Sequence, residues 1–300
     1  MSRVNTSTGA WAATATAAVV ANPTAGSVGD ASDPSARPST SPDSQVLRRL
    51  SPRLRLWRDR LLVLVVILVA WELLGRHVLD EVWVSRPSAI AERLWQLALS
   101  GKLWLHAQRT VLAASLGLAL AFACGVPIGI AMARFKYAYA VAEPFVMSLY
   151  SLPRVALAPL FIIWFGIDLF SKVMMAFSTV LFIFMLNVHQ GLKTVDPDLV
   201  ELMRTMRASR AYVTRKVFLP WIVPWIFASL RIGIGLSLIG AVVGELIGAS
   251  AGLGWYIEHS AGRLDTTGVF AGLTTLVLIA VTADTVLSRI EKRYTHWRAA

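Results

Sequence analysis

Two apolar runs, residues 173–189 and 221–247, are each long enough to cross a bilayer, and they enclose a polar, basic island of 25 residues, 196–220. That arrangement leaves little freedom: two membrane helices joined by a loop that must stay in water. Within the island, Asp198 and Glu201 have capping-box spacing and Pro197 suits a first helical turn, so a short helix is expected from near Leu199. Leu199, Leu202, Met203 and Met206 recur at helical spacing as an apolar stripe, with Arg204 and Arg207 on the other side. Ser209 can cap a second short helix through Lys216, which Pro220 should limit. The island therefore reads as a helix-turn-helix hairpin at the membrane face.

Composition agrees with this frame. Hydrophobic residues make up 56% of the chain and charged residues 16%, which excludes an ordinary soluble domain. The net charge of +11 could suggest nucleic acid, but the basic residues cluster at the ends of apolar runs, as membrane topology requires. A single cysteine, Cys124, rules out an intrachain disulfide.

Along the chain, residues 1–45 are rich in Ala, Ser, Thr, Pro and Gly and are expected to be a disordered extension without a cleaved signal; residues 46–300 form the membrane domain. Arg48, Arg49, Arg53, Arg55, Arg58 and Arg60 precede a first span at 61–79. Residues 83–100 read as an interfacial helix outside the membrane. A second span runs to Ala133, with Gly117, Gly125 and Gly129 offering surfaces for close helix contact. The third, 143–165, is interrupted by Pro144, Pro153 and Pro159 and should be buried in the bundle or line its path. Gly166, Asp168 and Lys172 make a short external turn before the span at 173–189, and 269–287 is the sixth. With both termini cytoplasmic, roughly 18 basic residues flank the spans inside and about 7 outside. The expected fold is all-α, a polytopic membrane bundle of about six transmembrane helices with a cytoplasmic coupling hairpin.

The hairpin resembles the cytoplasmic EAA loop of permease subunits of bacterial ABC importers. Glu201 matches the pattern's first acid, Val217 its apolar position, and Leu219 with Pro220 its closing pair. Leu202 and Met203 stand where the pattern often has Ala, and Arg207 where it has Gly, which suggests an ordinary helical or turn backbone there. Trp71-Glu72, Arg86-Pro87-Ser88, the run from Ser151 to Gly166, the run from Leu230, the Glu245 region, Gly252-Leu253-Gly254 and the tail through Trp297-Arg298 are similar to the nitrate, sulfonate and taurine branch. The resemblance implies a type I importer permease in the bacterial plasma membrane, with a small anionic solute such as nitrate, sulfonate, taurine or bicarbonate expected and a neutral vitamin precursor also compatible. Its implied partners are a cytoplasmic ABC ATPase dimer, an extracytoplasmic substrate-binding protein and a second permease copy. It also implies that Glu201 anchors the coupling helix, Met203 and Met206 fill the apolar contact, and Arg204 and Arg207 meet acidic groups.

Arg154, Arg231 and Glu245 are the ionisable residues nearest the membrane interior, where a charge costs about 2.5 to 3.5 kcal/mol. They are expected either to line an anion path or, more readily, to pair with each other or with carbonyls freed by Pro153 and Pro159. His189 has no companion at ligand spacing, so no metal role is expected, and Asp284 is expected to cap or to pair with Arg. No Walker-type phosphate loop, cofactor motif or catalytic set occurs, so the chain is not expected to be an enzyme, and ATP hydrolysis falls to a separate subunit. The alternative is an ion-gradient-driven secondary carrier.

Overall fold

The computed structural model describes residues 52–77, 80 and 83–294. The expected extension 1–45, Arg48 and Arg49, the end of the first span at Leu79 and the tail at Trp297-Arg298 lie outside the described residues, as do the side chains of Arg53 and Arg55. The chain divides into a unit of residues 1–58 and a unit of residues 59–300; of the first, only the opening turns of one helix are described.

Among the described residues every regular element is helical. In order these are α1 (Pro52–His77), α2 (Pro87–Leu99), α3 (Lys102–Arg134), α4 (Lys136–Ser151), a 3-10 turn (Arg154–Leu157), α5 (Ala158–Phe165) and α6 (Leu169–Lys193). They continue with α7 (Pro197–Thr205), α8 (Arg210–Val213), a π-helical turn (Thr214–Phe218), α9 (Leu219–Ile247), α10 (Leu253–Gly262) and α11 (Thr266–Tyr294). Four helical stretches are long and apolar enough to cross a membrane: α3, α6, the continuous run Arg210–Ile247, and α11; the bent pair α4–α5 can supply a fifth. The first expected span, 61–79, falls on α1, which is not among these stretches and whose apolar run is bounded by Arg60 and Glu72. Its residues Leu61 to Val69 are 40–59% exposed, a surface suited to lipid rather than water. The protein is a multi-pass membrane protein.

The centre is α6, held between α3 and α9 by small residues. A Cβ at Gly117 would lie 2.5 Å from Ala176 Cβ, and one at Gly240 would lie 2.7 Å from Ala176 Cα, so Ala176 is clasped from both sides. Gly125 and Gly129 repeat the close approach against Phe184 and Met185. Ala113, Ala114, Val173, Leu238 and Ala241 form one core layer, and Ala121, Val180 and Phe184 the next. Lipid supplies no hydrophobic drive between helices, so this close van der Waals fit holds them together.

Proline breaks the third span once rather than three times. Pro144 lies inside a continuous α4, while Pro153 ends the helix and α4 and α5 meet at 85°. Pro159 sits in the first turn of α5, where no amide donor is missed. α5 is buried through Ala158 and Phe161, whereas Tyr139 is the single buried residue of α4. Helix α2 buries Ile90 and Leu97 against Ala271 and is capped from α1: Glu72 accepts from Ser88 N at 3.0 Å, Ser88 Oγ at 2.8 Å and Arg76 Nε at 2.7 Å.

Candidate functional site

The hairpin is built as expected in outline but capped differently. Asp196, not Asp198, is the N-cap of α7; its carboxylate accepts from Asp198 N at 2.9 Å, and Pro197 takes the first helical position. Three residues on from Asp196 stands Leu199, so there is no capping box and Glu201 is exposed. Ser209 caps α8 by accepting from Tyr212 N at 3.2 Å.

Arg207 overturns the expectation of an ordinary backbone at that position. Its φ is +56°, the left-handed region that favours glycine. Arg207 N donates to Arg204 O at 2.8 Å and Ala208 N to Met203 O at 3.0 Å, the paired bonds of a Schellman motif. Satisfied carbonyls at the end of α7 hold an arginine where it would not settle alone.

Pro220 does not stop the second helix either. Leu219 N reaches back to Thr214 O, and this one wide turn carries α8 into α9, so Arg210–Ile247 is continuous. The π turn absorbs the missing amide of Pro220 without a break.

Val195, Val213 and Val217 are the hairpin's buried core, with Leu199, Val200, Met203, Ala208, Phe218 and Trp221 packed around them. Trp221 Nε1 donates to Thr194 Oγ1 at 3.2 Å, tying the hairpin's entry to its exit. The apolar stripe splits: Leu199 and Met203 turn inward, while Leu202 and Met206 are 55% and 69% exposed. Glu201, Arg204 and Arg207 are exposed around them with no ion-pair partner among the described residues. Leu219 is 47% exposed and Pro220 half-buried at the root of α9.

The three ionisable residues of the membrane interior are not brought together. Arg154, at the α4–α5 break, donates to Tyr150 O at 3.0 Å and lies over the rings of Tyr150 and Phe182 at 5.5 and 5.0 Å. Arg231 meets α11, donating to Glu291 at 2.8 Å and Ser288 at 2.9 Å, with Asp284 at 3.4 Å. Glu245 meets neither arginine.

Glu245 instead anchors a buried polar knot at the end of α9 away from the hairpin. It is 3% exposed; Thr110 Oγ1 lies 2.9 Å from both its oxygens, and Gly254 N donates to Oε2 at 2.8 Å. Leu253 N donates to Thr110 Oγ1 at 2.8 Å, and Gly252 N to His106 Nδ1 at 3.2 Å. Gly252 has φ +131°, and a Cβ there would lie 2.3 Å from the Glu245 carboxyl carbon. Only glycine fits the loop at that point.

Beside the knot is Lys172, expected in an external turn but found 5% exposed in the first turn of α6. Its Nζ donates to the carbonyls of Ile167 and Asp168. The helix starts four residues before the expected span, so the side chain folds back over its own N-terminus. His189 is buried against Tyr139, ring centroids 4.1 Å apart.

Residues 125–296 match the pattern of the binding-protein-dependent transport system inner membrane component. The chain belongs to that family. Among its relatives, the putative aliphatic sulfonates transport permease protein SsuC of Bacillus subtilis is 30% identical over 81% of this chain and 88% of its own length. The taurine transport system permease protein TauC of Escherichia coli is 29% identical over 78% and 86%. The riboflavin transport system permease protein RibX of Chloroflexus aurantiacus is 36% identical over 71% and 80%. The fold is that of type I ABC importer permeases. The inward-facing MetNI methionine ABC transporter superposes with a TM-score of 0.57 at 20% identity, covering 66% of this chain and 96% of the other. An amino acid ABC transporter with histidines gives 0.52 at 19%, covering 67% and 97%. This chain is an ABC importer permease akin to the sulfonate and taurine branch.

In this permease, sequence reasoning found Glu245 but missed His106, Thr110 and Lys172. One signal was available: a buried carboxylate needs donors, and His106 and Thr110 share a helix face at i, i+4.

Proposed function

We propose that this permease carries a small anionic solute, a sulfonate or a chemically similar monoanion, into the cytoplasm, driven by ATP hydrolysis on a separate ATPase pair. The observation that carries the reading is the exposed apolar pair Leu202 and Met206 on a hairpin with its own core. An apolar patch rimmed by Glu201, Arg204 and Arg207 is what a partner's groove would cover. Glu201 and the arginines set register, while Met203 holds the hairpin together from within. Because α8 runs into α9 without a break, hairpin movement is delivered straight to a membrane helix.

On this reading both termini face the cytoplasm and the chain sits in the bacterial plasma membrane. Two copies pair, and an extracytoplasmic binding protein delivers solute to the end away from the hairpin. Arg154, held at the bend by aromatic faces, offers a positive field along the path; Arg231, bound to α11, and Glu245, bound to Thr110 and the Gly254 amide, serve structure instead. The sulfonate and taurine relatives support the solute class.

The test is uptake of radiolabelled taurine and methanesulfonate by cells expressing the chain together with the ATPase and binding protein of a sulfonate importer. ATP depletion should abolish uptake while collapse of the proton gradient at constant ATP spares it. The reverse pattern would establish an ion-driven carrier instead.

A further inference from the structure

A cleft with about 60 Å³ of free volume opens beside the Glu245 knot, lined by Arg109 on α3, Ile167 to Leu169 and Lys172 at the start of α6, and the loop Ala249 to Ala251. It lies at the far end of α9 from the hairpin, about 39 Å along the helix axis at 1.5 Å per residue. At about 10–15 Å³ of such space per water, that is room for about four waters or more, enough for an oxyanion group.

Its charged lining is two cations, Arg109 and Lys172, and two carboxylates, Asp168 and Glu245, but the donors with capacity to spare are on the cations. Glu245 lines the cleft, but its oxygens already take protons from Thr110 and Gly254. Lys172 has given two of its three donors to the Ile167 and Asp168 carbonyls and has no carboxylate within ion-pair reach among the described residues. Arg109 is exposed on the rim and has no partner among the described residues, so all its guanidinium donors are unspent. The N-terminus of α6 adds to them, since Asp168 occupies the N-cap position without capping an amide. Against these donors stand the exposed Asp168 carboxylate, the carbonyls of the Ala249 to Ala251 loop and the Ser250 hydroxyl, which can itself donate.

We infer that this cleft is a binding site for the oxyanion group of a small solute, a sulfonate or carboxylate, held by Arg109 and Lys172. The guanidinium supplies a planar pair of donors and the ammonium a third, converging from α3 and α6. Glu245 fixes the floor by pinning the Gly252 to Gly254 loop. Asp168 at the rim weakens the site and disfavours dianions, so a solute can be captured there and still leave. The ligand class rests on the anion-importer reading; the cleft does not.

The test is equilibrium binding of methanesulfonate to the full-length chain in nanodiscs. Arg109→Gln, an exposed change that should leave folding intact, removes a charge-assisted contact and is expected to weaken binding by about tenfold or more. Asp168→Asn is expected to tighten it and to narrow the preference for methanesulfonate over sulfate, a gain that mere structural damage would not produce. Unchanged affinity in Arg109→Gln, or a loss seen with Arg154→Gln instead, would overturn the site. Failure of ATP-driven uptake with Arg109-dependent binding intact would overturn the importer reading alone.

Discussion

The two ends of α9 are built on opposite plans. At the hairpin end, side chains with unspent capacity face outward: Leu202 and Met206 are exposed, and Glu201, Arg204 and Arg207 have no ion-pair partners among the described residues. At the Glu245 end, the loop amides and the carboxylate satisfy one another inside the protein. On the proposed docking role, a joint gripped by a partner can leave its bonds open in water. A loop seated at the edge of an apolar bundle cannot, because each unmade bond there costs about 1–3 kcal/mol. Internal hydrogen bonding is therefore concentrated in the loop at one end of the helix, and the surface proposed for a protein partner lies at the other.

The sharpest way to break this contrast is Gly252→Ala. The new methyl would meet the Glu245 carboxyl at 2.3–2.5 Å in a backbone with φ +131°, so a loss of about 3 kcal/mol or more is expected. Gly235→Ala on the same helix run meets nothing within 4 Å and should be neutral or slightly stabilising. Thermal unfolding in detergent compares the two. Equal behaviour would mean the knot is not close-packed.

Thr110→Val keeps the shape but strips Leu253 N of its acceptor and Glu245 of a donor, and should cost about 2 kcal/mol. Hydrogen exchange at Gly252 to Gly254 should rise with it, and exchange in the hairpin should not. A rise in both regions would show that the ends are not independent.

Arg207→Gly is expected to act the other way. The left-handed position costs an L side chain roughly 1 kcal/mol, so glycine should stabilise the hairpin by about that much. Hairpin hydrogen exchange would slow slightly. A loss of stability would show that the Arg207 side chain holds the turn through contacts of its own.

Smallest of all in stability should be Leu202→Asp with Met206→Asp. Both side chains are more than half exposed, so folding should shift by about 0.5 kcal/mol or less. Binding to an ATPase should nevertheless be lost, and the separation between these two readouts sharpens the contrast most.

What was legible in the sequence follows the same division. Hydropathy located the long helices because lipid demands long apolar runs, and the glycines at 117, 125 and 129, eight and four residues apart, marked a surface for close helix contact that α6 fills. The hairpin was legible because caps and turns are local: Ser209 and the apolar residues identified both helices. Its cap and its end were misread because Asp196-Pro197 outcompeted Asp198, and a Schellman motif tolerates Arg207 when both carbonyls are satisfied. The knot was hidden because Thr110 and Glu245 are 135 residues apart, and no local pattern ties them. Lys172 was misplaced for a related reason: a charge reads as solvent-facing until backbone carbonyls are found to receive it.

The most direct measurement is co-purification from mild detergent of the full-length chain with its ATPase, comparing wild type with the Leu202→Asp/Met206→Asp variant. The expected result is an ATPase retained by the wild-type chain and lost from a variant with the same unfolding temperature. Retention of the ATPase by the folded variant would contradict the assignment of the hairpin's outer face as the docking surface.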